Sequence, residues 1–142
     1  MASDPRFASS AGTTAAHVLL GGAVYALALV WGGEWLFAQF IAREFTMGHE
    51  VGPRWTRTAL AFAPFAGMAV YAFVRRHALW SARVRLAWAT GLALSLLLWF
   101  WYFLDPLLNP GAGANIGLGL LMMASPLPIF LAMWLIARRP RA

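Results

Sequence analysis

The sequence predicts an all-α, polytopic membrane protein: a four-helix transmembrane bundle with both termini cytoplasmic. Three observations carry that expectation. Of 142 residues, 61% are hydrophobic and 11% charged, whereas a soluble domain is about 45–50% apolar and about 25% charged. The apolar residues gather into runs of the roughly 20 residues needed to cross a hydrocarbon core of about 30 Å. The basic charge is all arginine, 11 residues giving a net +6, and it sits between those runs.

Residues 1–14 are small and polar and read as a short tail. The run Ala15–Ile41 predicts helix 1 (15–41). It exceeds the roughly 7–15 apolar residues of a secretory signal, so it is expected to stay in the protein and act as its own insertion signal. Ala15, Gly22, Ala26 and Gly33 share one face at about 100° per residue, and small-residue stripes are where membrane helices approach closely. On the same wheel Trp31 and Trp35 lie nearly opposite, toward lipid, and Glu34 lies on the flank of the seam. Residues 42–57 form a polar connection holding Arg43, Glu44, His49, Glu50, Arg54 and Arg57, with Gly48, Gly52 and Pro53 as breakers.

Helix 2 is expected over 56–74, with Ala59, Ala63 and Gly67 as its seam and Pro64 near its middle. Arg75, Arg76, His77, Arg83 and Arg85 surround the next turn, and helix 3 follows over 84–104 with the small positions Ala87, Gly91 and Ser95. Its end, Trp99 to Phe103, fits an aromatic belt at headgroup level. Asp105 before Pro106 is expected to stop the helix. Asn109, Pro110 and Gly111 turn into helix 4 over 112–137, which opens with Gly113, Gly117 and Gly119 at packing spacings and is bent by Pro126 and Pro128. Residues 138–142 are a basic tail, leaving one transmembrane domain over 15–137.

Four crossings place both termini on one side. That side carries eight arginines, against three in the first loop and none in the third, so the positive-inside rule makes it cytoplasmic and the location a bacterial-type inner membrane. The absent residue types exclude chemistry. Without Cys there is no disulfide, thiolate nucleophile or Cys-ligated iron–sulfur cluster. Without Lys there is no Schiff base. The arginines form no continuous basic stripe or recognition motif, so no nucleic-acid partner is expected. No nucleophile elbow or Gly-rich phosphate loop beside a strand occurs. His17 marks the inner end of helix 1 and His77 falls in a loop, so they do not make a facing haem pair. No cofactor is predicted, and enzymatic activity is the less favoured class.

The candidate functional residues fall into three groups. Glu34 is an acid at membrane depth, costly to place there and so a functional candidate by default. It lies about 9 Å outward of the middle of helix 1 at the helical rise per residue. It reads either as a proton or cation site or as an ion pair with Arg43, Arg54 or Arg57. Around it the topology gathers Glu44, His49, Glu50 and Asp105, with Arg43, Arg54 and Arg57 nearby. One His among scattered acids suits zinc or manganese only weakly, and loop ion pairs are the simpler reading. Asp105 is expected either to cap a turn beginning at Pro106 or to pair with Arg54 or Arg57. At mid-depth, Ser95 and Ser125 coincide with Pro64, Pro126 and Pro128, which free carbonyls near Leu60, Met122 and Ala124. These groups either line a small polar pocket or satisfy one another.

The function class expected from these features is a non-catalytic subunit or accessory of a larger membrane assembly, with the lipid bilayer and other membrane proteins or further copies of itself as partners. The alternative is a small proton-coupled transporter or ion pathway built on Glu34. A membrane enzyme using the outer acids and a metal is the third class.

Overall fold

The computed structural model describes residues 5–41, 51–74, 82–109 and 115–138. His49 and Glu50, with Arg43 and Glu44, lie outside the described residues, as do the tip of the second loop and most of the third. Among the described residues helices are the only regular structure, and they form four spans long and apolar enough to cross a membrane: Ala15–Phe40, Pro53–Val74, Ala82–Leu108 and Ile116–Arg138.

The first span begins as α1 (Pro5–Leu27), passes through a π-helical turn (Ala28–Gly32) into α2 (Gly33–Leu36), and ends in a second π turn (Phe37–Ile41). Helix thus reaches back ten residues into the segment expected to be a tail. Pro5 at the start needs no intrahelical N–H partner, and the small residues that follow oppose helix formation only weakly. The second span is α3 (Val51–Val74). It starts five residues earlier than the breakers Gly52 and Pro53 suggest, because proline is tolerated in the first turn of a helix.

The third span, α4 (Ala82–Leu108), also overruns its expected stop. Pro106 is carried inside the helix, and the Asn109 N–H donates to the Asp105 carbonyl at 3.0 Å. Beyond Pro106 the last turn therefore closes normally. The fourth span divides at Ser125 into α5 (Ile116–Ala124) and α6 (Pro126–Arg138). Asn115 caps α5, its side-chain oxygen accepting from the Leu118 N–H at 3.0 Å. Pro126 opens α6 at the position where a missing N–H costs least.

In the bundle, α3 packs against both α1 and α6, and α6 packs against α4, so neighbours run first, second, fourth, third. Two apolar clusters fill the interior. One lies toward the termini and includes Val18, Phe65, Met68, Val84, Ala87 and Met133; the other lies toward the opposite end and includes Ala26, Val30, Ala61, Trp99 and Met122. Large apolar side chains remain exposed on every span, for example Val24, Phe73, Leu97 and Leu127, giving the apolar exterior that a lipid-facing surface has.

The small residues divide into those that pack and those that do not. Gly22 lies so close to Phe65 that a Cβ there would fall 2.5 Å from the Phe65 Cβ, and Ala87, Gly91 and Ser95 are all buried. The seam expected on the second span holds only at Gly67, where a Cβ would fall 2.9 Å from the Phe130 ring. Ala59 and Ala63 are exposed, and the buried face is the opposite one, with Thr58, Ala61, Phe65, Met68 and Ala72. Gly119 of the fourth span has open space where a Cβ would be. The aromatic run 99–103 also divides. Phe100 and Trp101 are each 63% exposed, whereas Trp99 is buried and packs with Tyr102 and Phe103 in the interior.

Candidate functional site

Glu34 organises the polar chemistry of the bundle. A straight α-helix from Ala15 places it on the flank of the first seam, but the side chain is buried, with 6% of its surface exposed. The π turn at Ala28–Gly32 accounts for the difference. One extra residue within a turn resets the helical wheel by up to about 100°, which carries Glu34 from the flank onto the inner face. The same reset turns Trp31 away from lipid. Its indole N–H donates to the Thr58 hydroxyl at 3.3 Å, and its ring stands edge-on to Trp55 with centroids 5.4 Å apart.

Two arginines from the start of α3 close on the Glu34 carboxylate. Arg57 Nη1 donates to Oε1. Arg54 Nε lies 2.7 Å from Oε2, but its N–H is not directed along that line, so the contact is an ion pair without a well-aligned hydrogen bond. Arg54 and Arg57 are three residues apart on a helix, the spacing that puts side chains on one face. Each guanidinium also faces an aromatic ring: Arg54 lies 5.5 Å from the Trp31 centroid, and Arg57 lies 6.0 Å from that of Tyr102. The Thr58 hydroxyl donates to the Arg54 carbonyl at 2.8 Å, tying the Trp31 contact into the same helical turn.

A single carboxylate thus binds the first span to the second, and Tyr102 brings in the third. Gly33 permits the close approach on that side, since a Cβ there would sit 2.7 Å from the Phe103 ring. Removing one member of a buried ion pair is far more costly than the pair's net contribution, because it strands the other charge. The site's described charges are one carboxylate and two guanidinium groups, and the arginine side chains keep 27% and 22% of their surface exposed.

Asp105 belongs to a separate device at the same end. Its Oδ1 accepts from Asn109 Nδ2 and from Asn115 Nδ2, both at 3.0 Å. The second bond spans the third loop and ties the end of α4 to the cap of α5. Asp105 forms no ion pair with Arg54 or Arg57, whose partner is Glu34.

The two mid-depth serines have separate surroundings. The Ser125 hydroxyl donates to the Met122 carbonyl at 2.7 Å, which is the carbonyl freed by Pro126. Ser95, buried in α4, lies beside the Tyr25 hydroxyl. No three His, Asp or Glu side chains among the described residues converge as metal ligands would.

Sequence reasoning selected Glu34, Arg54 and Arg57, which come together, and Asp105, Ser95 and Ser125, which do not join them. It overlooked Trp31, Thr58 and Tyr102. Thr58 adjoins Arg57 in sequence, and Trp31 precedes Glu34 by three positions, so helical spacing from the charged residues was the available signal. Comparison with known families, curated proteins and solved structures finds no match to this chain.

Proposed function

We propose that this chain is a non-catalytic, multi-pass protein of a bacterial-type inner membrane, with both termini cytoplasmic, serving as a subunit or accessory of a larger membrane assembly. The observation that carries this reading is the use made of the deep acid. Both Glu34 oxygens face guanidinium nitrogens of the neighbouring span, so the group works as a fastening between helices, which favours a structural part over an ion pathway. The other acid of the spans, Asp105, likewise fastens α4 to α5. Support for an assembly comes from α3, whose outward face offers Thr56, Ala59 and Ala63, all exposed, beside the exposed Val70. A face that smooth allows close approach of another membrane helix.

The test is extraction in a mild detergent followed by cross-linking and native mass spectrometry. The protein is expected to emerge with defined neighbours or as an oligomer. A clean monomer with no cross-linked neighbour would sink the reading.

A further inference from the structure

We infer that Arg54 and Arg57 form a binding site for a phosphate-bearing anion, supplied by the headgroup of an anionic phospholipid. This rests on the proposal that the spans cross a bilayer, and it is independent of whether the chain joins an assembly. Charge balance comes first. The Glu34 carboxylate is shared between two guanidinium groups, which leaves the described cluster with one uncompensated positive charge.

Donor capacity points the same way. A guanidinium has five N–H donors in a fixed fork. Arg54 approaches Glu34 through Nε alone, and Arg57 through Nη1 alone. Their remaining donors are in no hydrogen bond or ion pair with a described residue, and both side chains reach the surface.

Depth selects the anion. Arg54 is the second residue of the Pro53–Val74 span, and Arg57 is one turn further in. Trp55, next to Arg54 in the sequence, is 54% exposed, and Trp35, next to Glu34, is 58% exposed, as indoles that sit among headgroups are. The anion concentrated at that level is lipid phosphate, which a guanidinium fork recognises through paired charge-assisted hydrogen bonds. Stacking against Trp31 and Tyr102 holds each guanidinium in place before the anion arrives.

The experiment is native mass spectrometry of the full chain in a neutral detergent, titrated with phosphatidylglycerol, with phosphatidylcholine, and with phosphatidylglycerol against inorganic phosphate. Phosphatidylglycerol is expected to be retained in preference to phosphatidylcholine. Arg54→Gln keeps the Arg57–Glu34 pair and is expected to weaken phosphatidylglycerol retention about tenfold. Glu34→Gln raises the cluster's charge and is expected to hold the lipid at least as well as the parent protein. A purely structural clamp predicts instead that both variants lose lipid together, and that result overturns the inference. Equal retention of the two lipids by the parent protein also overturns it, and decides the matter even if Arg54→Gln does not fold. Displacement by inorganic phosphate at equal concentration would reassign the site to a free anion and overturn the lipid source.

Discussion

At the scale of the residue, Glu34 joins the first span to the second through one carboxylate and two guanidinium groups. Replacing it by alanine leaves two arginines facing each other in a half-buried setting, and stranding buried charge costs about 3–5 kcal/mol where it is complete. Partial exposure of the arginines reduces that penalty, so Glu34→Ala is expected to lower the unfolding free energy by about 2–3 kcal/mol. Arg57→Gln leaves Arg54 as a partner and is expected to cost about 1–2 kcal/mol. Reversible unfolding in mixed micelles with the double variant completes the cycle. A coupling energy near zero between Glu34 and Arg57 would show that the contact has no energetic weight. The acid and its partners were legible because an ionisable group at membrane depth requires a counter-charge and only a few arginines were within reach. The inward placement of Trp31 was not legible because nothing in an apolar run signals a π turn, and Trp31 lies inside one.

At the scale of the element, the difficulty was choosing the inner face. In a soluble helix polarity separates the faces, but beyond Thr58 the α3 helix is apolar all round, and alanine is equally at home against lipid or against a neighbouring helix. Ala59 and Ala63 therefore looked like a seam, while the seam was formed by Phe65 and Met68. In the first span the small positions Gly22 and Ala26 were read correctly, since a stripe interrupted by large residues can pack only where the neighbour intrudes. Those differences make glycine substitutions informative. Gly22→Ala puts a methyl into the Phe65 side chain at its root, where no terminal rotation can relieve the clash, and overpacking of this kind costs about 1–3 kcal/mol. Gly119→Ala meets open space and is expected to be neutral or stabilising by up to about 1 kcal/mol. Thermal unfolding of the two variants side by side checks the pair of signs. Equal effects would mean that the α1–α3 contact is looser than the structure has it.

At the scale of the whole molecule, the number of spans followed from composition and run length, because lipid requires long apolar helices regardless of sequence detail. Their ends did not, since Pro53 and Pro106 are breakers by residue type, yet the chain carries each inside a helix. Orientation is the property most open to a direct test. Eight arginines flank the end of the bundle that holds the termini, against three at the other end. The arginine count, not the net charge, sets orientation, so the pairing of Arg54 and Arg57 with Glu34 leaves that asymmetry unchanged. The chain contains no cysteine, so single cysteines can be introduced without a background to remove. Gly111→Cys, in the loop bridged by Asp105 and Asn115, is expected to react in intact spheroplasts with a membrane-impermeant maleimide. Ala2→Cys and His77→Cys are expected to react only after permeabilisation. Labelling of both Ala2→Cys and His77→Cys in intact spheroplasts, with Gly111→Cys protected, would invert the topology. Labelling of only one of Ala2→Cys and His77→Cys would instead break the four-span count, because two crossings between them return the chain to the same side.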